Sequence, residues 1–139
     1  MKVITDYIQI STRGFADIVD ITSQVAGTIN RSEINSGTAT VFISGSTAGV
    51  TTIEYEPGLL KDLPEAFEKI ASMKDRYHHD ATWHDGNGFA HVRAAMLGPS
   101  LVVPFKDGKM LLGTWQQIVL IDFDNRSRRR EVAVQLMGE

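Results

Sequence analysis

Residues 101–137, LVVPFKDGKMLLGTWQQIVLIDFDNRSRRREVAVQLM, decide the fold class. Leu101–Phe105 and Met110–Gly113 flank Asp107-Gly108. That dipeptide tolerates the positive φ of a tight turn, so the two runs read as a hairpin. Ile118–Phe123 and Glu131–Met137 are two further apolar, β-branched runs, read as strands joined by the basic turn NRSRRR (125–130). Short connections of this kind join antiparallel strands.

Working outward from there, Ala90–Leu97 reads as a short helix ended by Gly98-Pro99. Residues 73–88 are polar, rich in His, Asp and Gly, and form the longest irregular segment. Leu59, Leu60, Leu63, Phe67 and Ile70 recur at helical spacing, so 58–72 is predicted as an amphipathic helix. Pro64 inside it predicts a kink or a late start. Thr38–Ser44 and Val50–Glu54 are strands on either side of a GST turn. Val25 and Ile29, four apart, predict a helix over 22–33, capped by Thr22 or Ser23. Alternation over 3–10 predicts a first strand. This order gives an α+β fold: one domain, 1–139, with a mostly antiparallel sheet packed against two to three helices.

Composition narrows the function classes. Apolar residues at 42% and charged residues at 22% fit an ordinary globular protein. A formal net charge of -3 does not favour a nucleic-acid-binding surface. The absence of cysteine excludes disulfides and thiolate metal sites. The N-terminus lacks the apolar run of a signal peptide, and no window reaches the roughly 18 apolar residues of a membrane helix. The expectation is a cytoplasmic protein without membrane or nucleic-acid partners.

Polar chemistry gathers in three stretches: GSTAGVTTIEYEPG (45–58), HDGNGFAHVRAAMLG (84–98) and LLGTWQQIVLIDFD (111–124). All four histidines lie between 78 and 91. His78, His79 and His91 are metal candidates, because clustered imidazoles ligate metals or relay protons near neutral pH. Their spacing matches no standard zinc motif. Asp85 and Asn87 join His91 as catalytic candidates. Gly86 and Gly88 around Asn87 would let backbone amides approach an anion. Arg93, near a helix N-terminus, could grip a phosphate or carboxylate with two prongs. Ser46 and Thr47, in a Gly-flanked turn, offer hydroxyls, although the turn lacks P-loop spacing. Glu54 shares a strand face with Glu56 and could act as acid, base or ligand if buried. Thr114 and Gln116 share one face of an extended segment, with Trp115 read as core packing. The arginines of NRSRRR read first as a solvated turn, with a phosphate clamp or a subunit contact as the other readings.

Taken together, STAGVTTIE (46–54), DGNGFAH (85–91), AAMLGPSLVVP (94–104), LLGTWQQIVLIDFD (111–124) and RRREVAVQLMG (128–138) resemble the YjbQ-like family, often labelled secondary thiamine-phosphate synthases. The resemblance covers nearly the whole chain. It implies an α+β homotrimer with pockets near subunit contacts. It also implies condensation of a hydroxymethylpyrimidine pyrophosphate with a thiazole phosphate, releasing pyrophosphate. That chemistry calls for a phosphorylated substrate and a divalent metal, Mg or Zn. Metal-dependent hydrolysis of a phosphorylated metabolite and non-catalytic binding by a trimer are the alternatives. On this reading Ser46, Thr47, Arg93 and the loop amides take phosphate, while His91 and Glu54 serve metal or proton transfer. Many members carry His-Thr-Thr or His-Thr-Ser where this chain has Gly45-Ser46-Thr47, so the first histidine of the family's set is missing. A histidine before the GN block aligns with His78 or His79. The three polar stretches are expected to meet in one pocket.

Overall fold

The computed structural model describes residues 1–139. In chain order the elements are β1 (Lys2–Thr12), β2 (Asp17–Asp20), α1 (Thr22–Ser32), β3 (Gly37–Ile43), β4 (Ala48–Ile53), α2 (Leu59–Ile70), α3 (His78–Trp83), α4 (Gly88–Leu97), β5 (Ser100–Lys106), β6 (Lys109–Met110), β7 (Gln117–Asp122) and β8 (Arg128–Gly138). The fold is α+β, and every strand pairing is antiparallel. There are four helices rather than two to three, because α3 occupies part of the segment read as irregular. The short strand β2 was also not anticipated from the sequence.

The strands form two sheets, ordered β1-β8-β3-β5-β6 and β2-β7-β4. β7 and β8 follow one another in sequence yet lie in different sheets. The reason is visible in their side chains. β8 alternates: Arg130, Val132, Val134 and Leu136 are buried, while Arg129, Glu131 and Gln135 are exposed. It therefore covers one face of a core. β7 is buried from Ile118 to Asp122, so it sits in a middle layer with both faces covered.

Ile118 and Leu120 of β7 point into the main core, with Ile8, Val41, Val103, Val134 and Leu136 of the five-stranded sheet. Val119, Ile121 and Phe123 point the other way, against Phe89, Ala90 and Ala94 of α4. Phe67 of α2 meets Phe123 edge-on, with ring centroids 4.7 Å apart. The layers are thus five strands, three strands, then helices. Ile21, Val25 and Ile29 let α1 join the main core. Its first N–H, at Thr22, donates to the Asp20 carboxylate rather than to a Thr22 or Ser23 cap.

Helix α2 starts at Leu59 and passes through Pro64 without a late start. The Glu56 carboxylate accepts the N–H groups of Gly58 and Leu59, satisfying donors that have no partner inside the helix. No helix is long and apolar enough to cross a membrane.

Candidate functional site

One end of the molecule brings together the segments that carry the histidines. His79 lies in the first turn of α3, Asp85 in the loop after it, and His91 in the first turn of α4. The two helices are bolted together locally. Asp80 Oδ1 accepts the Gly88 N–H at 2.8 Å. Asn87 Oδ1 accepts the Asn125 N–H at 3.1 Å, and Asn125 Nδ2 donates to the Asp85 carbonyl at 2.8 Å.

The result is a three-residue cluster. One potential ligand atom each from His79, Asp85 and His91 lies within 4.8 Å of the others. The two imidazole rings are 4.2 Å apart between centroids and tilted by 37°. His79 Nδ1 is 3.4 Å from Asp80 Oδ1 and 3.5 Å from Asp85 Oδ1. Burial pushes the His91 pKa below that of a free histidine, and neighbouring His79 pushes it the same way against the pull of Asp85, Asp124 and Asp80. Burial thus disfavours the charged imidazolium of His91, and it is the uncharged imidazole that ligates a metal.

Of the two adjacent histidines, His79 is the one turned into the cluster; His78 is exposed and outside it. His84 is also exposed, closing α3 in a left-handed conformation. Two imidazoles and one carboxylate suit zinc-like ions better than magnesium, which prefers oxygen ligands. Three ligands with an open face are the usual form of a catalytic rather than a structural site.

Several other candidates have different roles. Arg93 is turned away from the cluster and 3% exposed. Its Nε donates to the Ala71 carbonyl at 3.0 Å and its Nη2 to Glu68 at 2.8 Å, so it ties α4 to α2 and is not available to a substrate. Asn87 is buried and spends its side-chain oxygen on Asn125. The amides of Asn87 and Gly88 are already taken by Asp85 and Asp80 and do not cradle an anion. Gly88 is required for another reason: a Cβ there would lie 2.4 Å from the Tyr77 Cβ. Thr47 is buried, donating to Asp124 at 2.9 Å and accepting from Arg130 at 2.7 Å. Ser46 is exposed and lines a cleft of about 330 Å³ with Gly45, His91, Ala94 and Pro99.

Within one chain the three polar stretches do not meet in one pocket. Ser46 and Thr47 precede β4, and Glu54 follows it. A strand of this length separates them by roughly 20 Å. Glu54 is exposed and lines a separate shallow depression with Thr52, Thr114, Trp115 and Gln116. Residues 113–116 are a turn rather than extended chain, closed by the Gln116 N–H on the Gly113 carbonyl at 3.0 Å. Trp115 is 73% exposed, not core. Gln116 Nε2 donates to Thr52 at 3.0 Å.

A buried ionic layer beneath the cleft replaces the solvated basic turn. Arg128, Arg129 and Arg130 belong to β8, not to a turn. Positions 118, 120 and 122 of β7 face the same way, so Asp122 continues the line of Ile118 and Leu120. Asp122 and Asp124 are fully buried. Arg130 grips Asp122 with Nε at 2.7 Å and Nη2 at 2.8 Å. Arg128 Nε donates to Asp124 at 3.0 Å, and Thr12 donates to Asp122 at 2.5 Å. Burial raises the Asp124 pKa, but hydrogen bonds from Thr47, Arg128 and Asn87 outweigh it and hold the group below the usual carboxylate range. The signal for this layer was present in IDFD: two acids alternating at the end of an apolar strand, needing buried cations to balance them.

An antiparallel two-sheet core with a helical layer, carrying a two-histidine, one-carboxylate cluster at one end, defines a class of small α+β proteins with a candidate metal centre. The family model described as UPF0047 protein YjbQ-like matches residues 6–139, and the chain belongs to that family. A UPF0047 protein of Methanothermobacter thermautotrophicus is 37% identical over 139 residues, covering 100% of this chain and 95% of that protein. One from Archaeoglobus fulgidus is 36% identical, covering 93% and 98%. Among solved structures, a YbjQ-like protein of unknown function from Sulfolobus solfataricus superposes with a TM-score of 0.93 at 34% identity, covering 99% of each chain.

Proposed function

We propose that this protein is a metal-assisted enzyme acting on a phosphorylated small molecule at His79, Asp85 and His91. The observation carrying this reading is the convergence of two imidazoles and a carboxylate, with ligand atoms within 4.8 Å, beside an open cleft. A divalent ion held there would supply Lewis-acid stabilisation of charge developing on phosphoryl oxygens. The residues supply the rest. His91 and His79 offer imidazole nitrogens, Asp85 offers charge, and the Ser46 hydroxyl offers a hydrogen bond at the cleft wall.

The specific reaction that the YjbQ-like resemblance supports is thiamine-phosphate synthase chemistry, as a main or a side activity. Pyrophosphate leaves the hydroxymethylpyrimidine carbon as that carbon bonds to the thiazole nitrogen. The resemblance also supports a homotrimer. Hydrolysis of a phosphorylated metabolite is the second reading, favoured by a three-ligand site that leaves room for water.

Zinc-loaded protein incubated with both precursors should form thiamine phosphate, and a yield no higher than that of His91→Ala would sink the condensation. Phosphate release from phosphorylated metabolites without condensation would select the hydrolase. Elemental analysis without bound metal, together with no zinc-dependent thermal shift, would remove both and leave a binding protein.

A further inference from the structure

Behind Gly45 lies an arginine whose hydrogen bonding is incomplete. Arg130 is 9% exposed. Its Nε and Nη2 are engaged with Asp122 and Thr47, at 2.7 to 2.8 Å. Nη1 appears in none of these bonds, so both of its N–H donors remain. The register says where they face. Ile43 of β3 is opposite Val132 of β8. Inward positions alternate, so the continuation of that ladder sets Gly45 opposite Arg130. A Cβ built on Gly45 would lie 3.2 Å from Nη1, and the φ of +116° there suits glycine. The glycine leaves open the space in front of the guanidinium edge. Gly45 also lines the cleft shared by Ser46 and His91.

We propose that Arg130 Nη1, reached through the gap at Gly45, is an oxyanion subsite of this cleft and takes the phosphate of the substrate. This rests on the phosphorylated-substrate reading above and replaces Arg93 as its anion-binding arginine. Arg130 is already oriented by Asp122, so binding costs little of the rotamer entropy a free surface arginine would lose. Both nearby carboxylates are paired, Asp122 with Arg130 and Asp124 with Arg128. The corner therefore recognises an anion by direct N–H donation rather than by a broad positive field.

The test is a titration of metal-free protein with inorganic phosphate, with acetate as a comparison anion. Binding is read by calorimetry and by the arginine side-chain N–H resonances. Phosphate should move the Arg130 resonances saturably. Gly45→Ala, which fills the gap at the cost of a strained φ and a small displacement of Nη1, should weaken binding about tenfold, as loss of one charge-assisted hydrogen bond implies. Arg130→Lys should do the same if it folds, and Arg129→Ala, on the exposed face, should not. Acetate binding as tightly as phosphate would overturn the phosphate assignment. No saturable shift at Arg130, or unchanged affinity in folded Gly45→Ala, would overturn the subsite. Because no metal is present, that failure is distinct from a failure of the metal centre, which is read by zinc binding alone.

Discussion

Asp122 and Asp124 place two carboxylates where the apolar interior ends, and each meets an arginine from β8. Removing one partner of a buried pair strands the other charge in a poorly solvating interior. Asp122→Ala should therefore cost about 3–5 kcal/mol in urea unfolding. Arg126→Ala, on an exposed arginine, should stay within about 0.5 kcal/mol of wild type. The pH response follows from Asp124. Its folded pKa is lowered, so between the unfolded value, about 3.9, and the lower folded one, the unfolded chain binds more protons. The stability it contributes is complete above that unfolded value and is lost as pH falls through the folded one. The urea midpoint should fall between pH 5 and pH 3, and fall less steeply in Asp124→Asn. Equal slopes would show that other carboxylates carry the response.

At the scale of elements, the candidate centre depends on how closely α3 lies against α4. Gly88 sets that distance, because Tyr77 packs where its side chain would be. Gly88→Ala should destabilise the protein by about 1–3 kcal/mol through overpacking. It should also weaken zinc binding by separating His79 from His91. Met96→Ala, on an exposed position of the same helix, should leave both properties unchanged. Zinc affinity that survives Gly88→Ala would show that the helices' spacing does not govern the cluster. A helix of six residues such as α3 has no stability of its own. Its bonds to Gly88 and its place against α4 hold it, which explains why 73–88 reads as loop from composition.

For the whole molecule, the two polar groups in one chain raise the question of assembly. Glu54, Thr114 and Gln116 lie apart from the histidines, and a trimer is the arrangement in which another subunit could bring them together. Sedimentation equilibrium should return about three times the 15.4 kDa chain mass. A monomer at micromolar concentration would overturn the trimer. Mixing His91→Ala chains with Glu54→Ala chains should restore part of the activity if the two groups serve one shared site. No restoration would assign Glu54 to its own surface. The outer face of the five-stranded sheet leaves Val3, Tyr7, Phe42, Val102 and Met137 exposed.

The sequence alone determined the α+β class and placed most elements within a few residues, because periodicity and turn chemistry act over short spans. Asp107-Gly108 fixed the β5–β6 hairpin, and Val25 with Ile29 fixed α1. It confined the histidines to 78–91 but did not choose between His78 and His79; the packing of α3 on α4 turned His79 toward His91 and Asp85. What it left open depended on which layer each strand joins. Nothing local in NRSRRR distinguishes a solvated turn from a strand, and only the meeting of β8 with β7 decided it. Arg130 is buried because Asp122 and Thr47, 8 and 83 residues away, are there to receive it. Arg93 left the site for the equivalent reason, since Glu68 and the Ala71 carbonyl claim it. A long polar side chain takes its role from the partners that tertiary packing supplies.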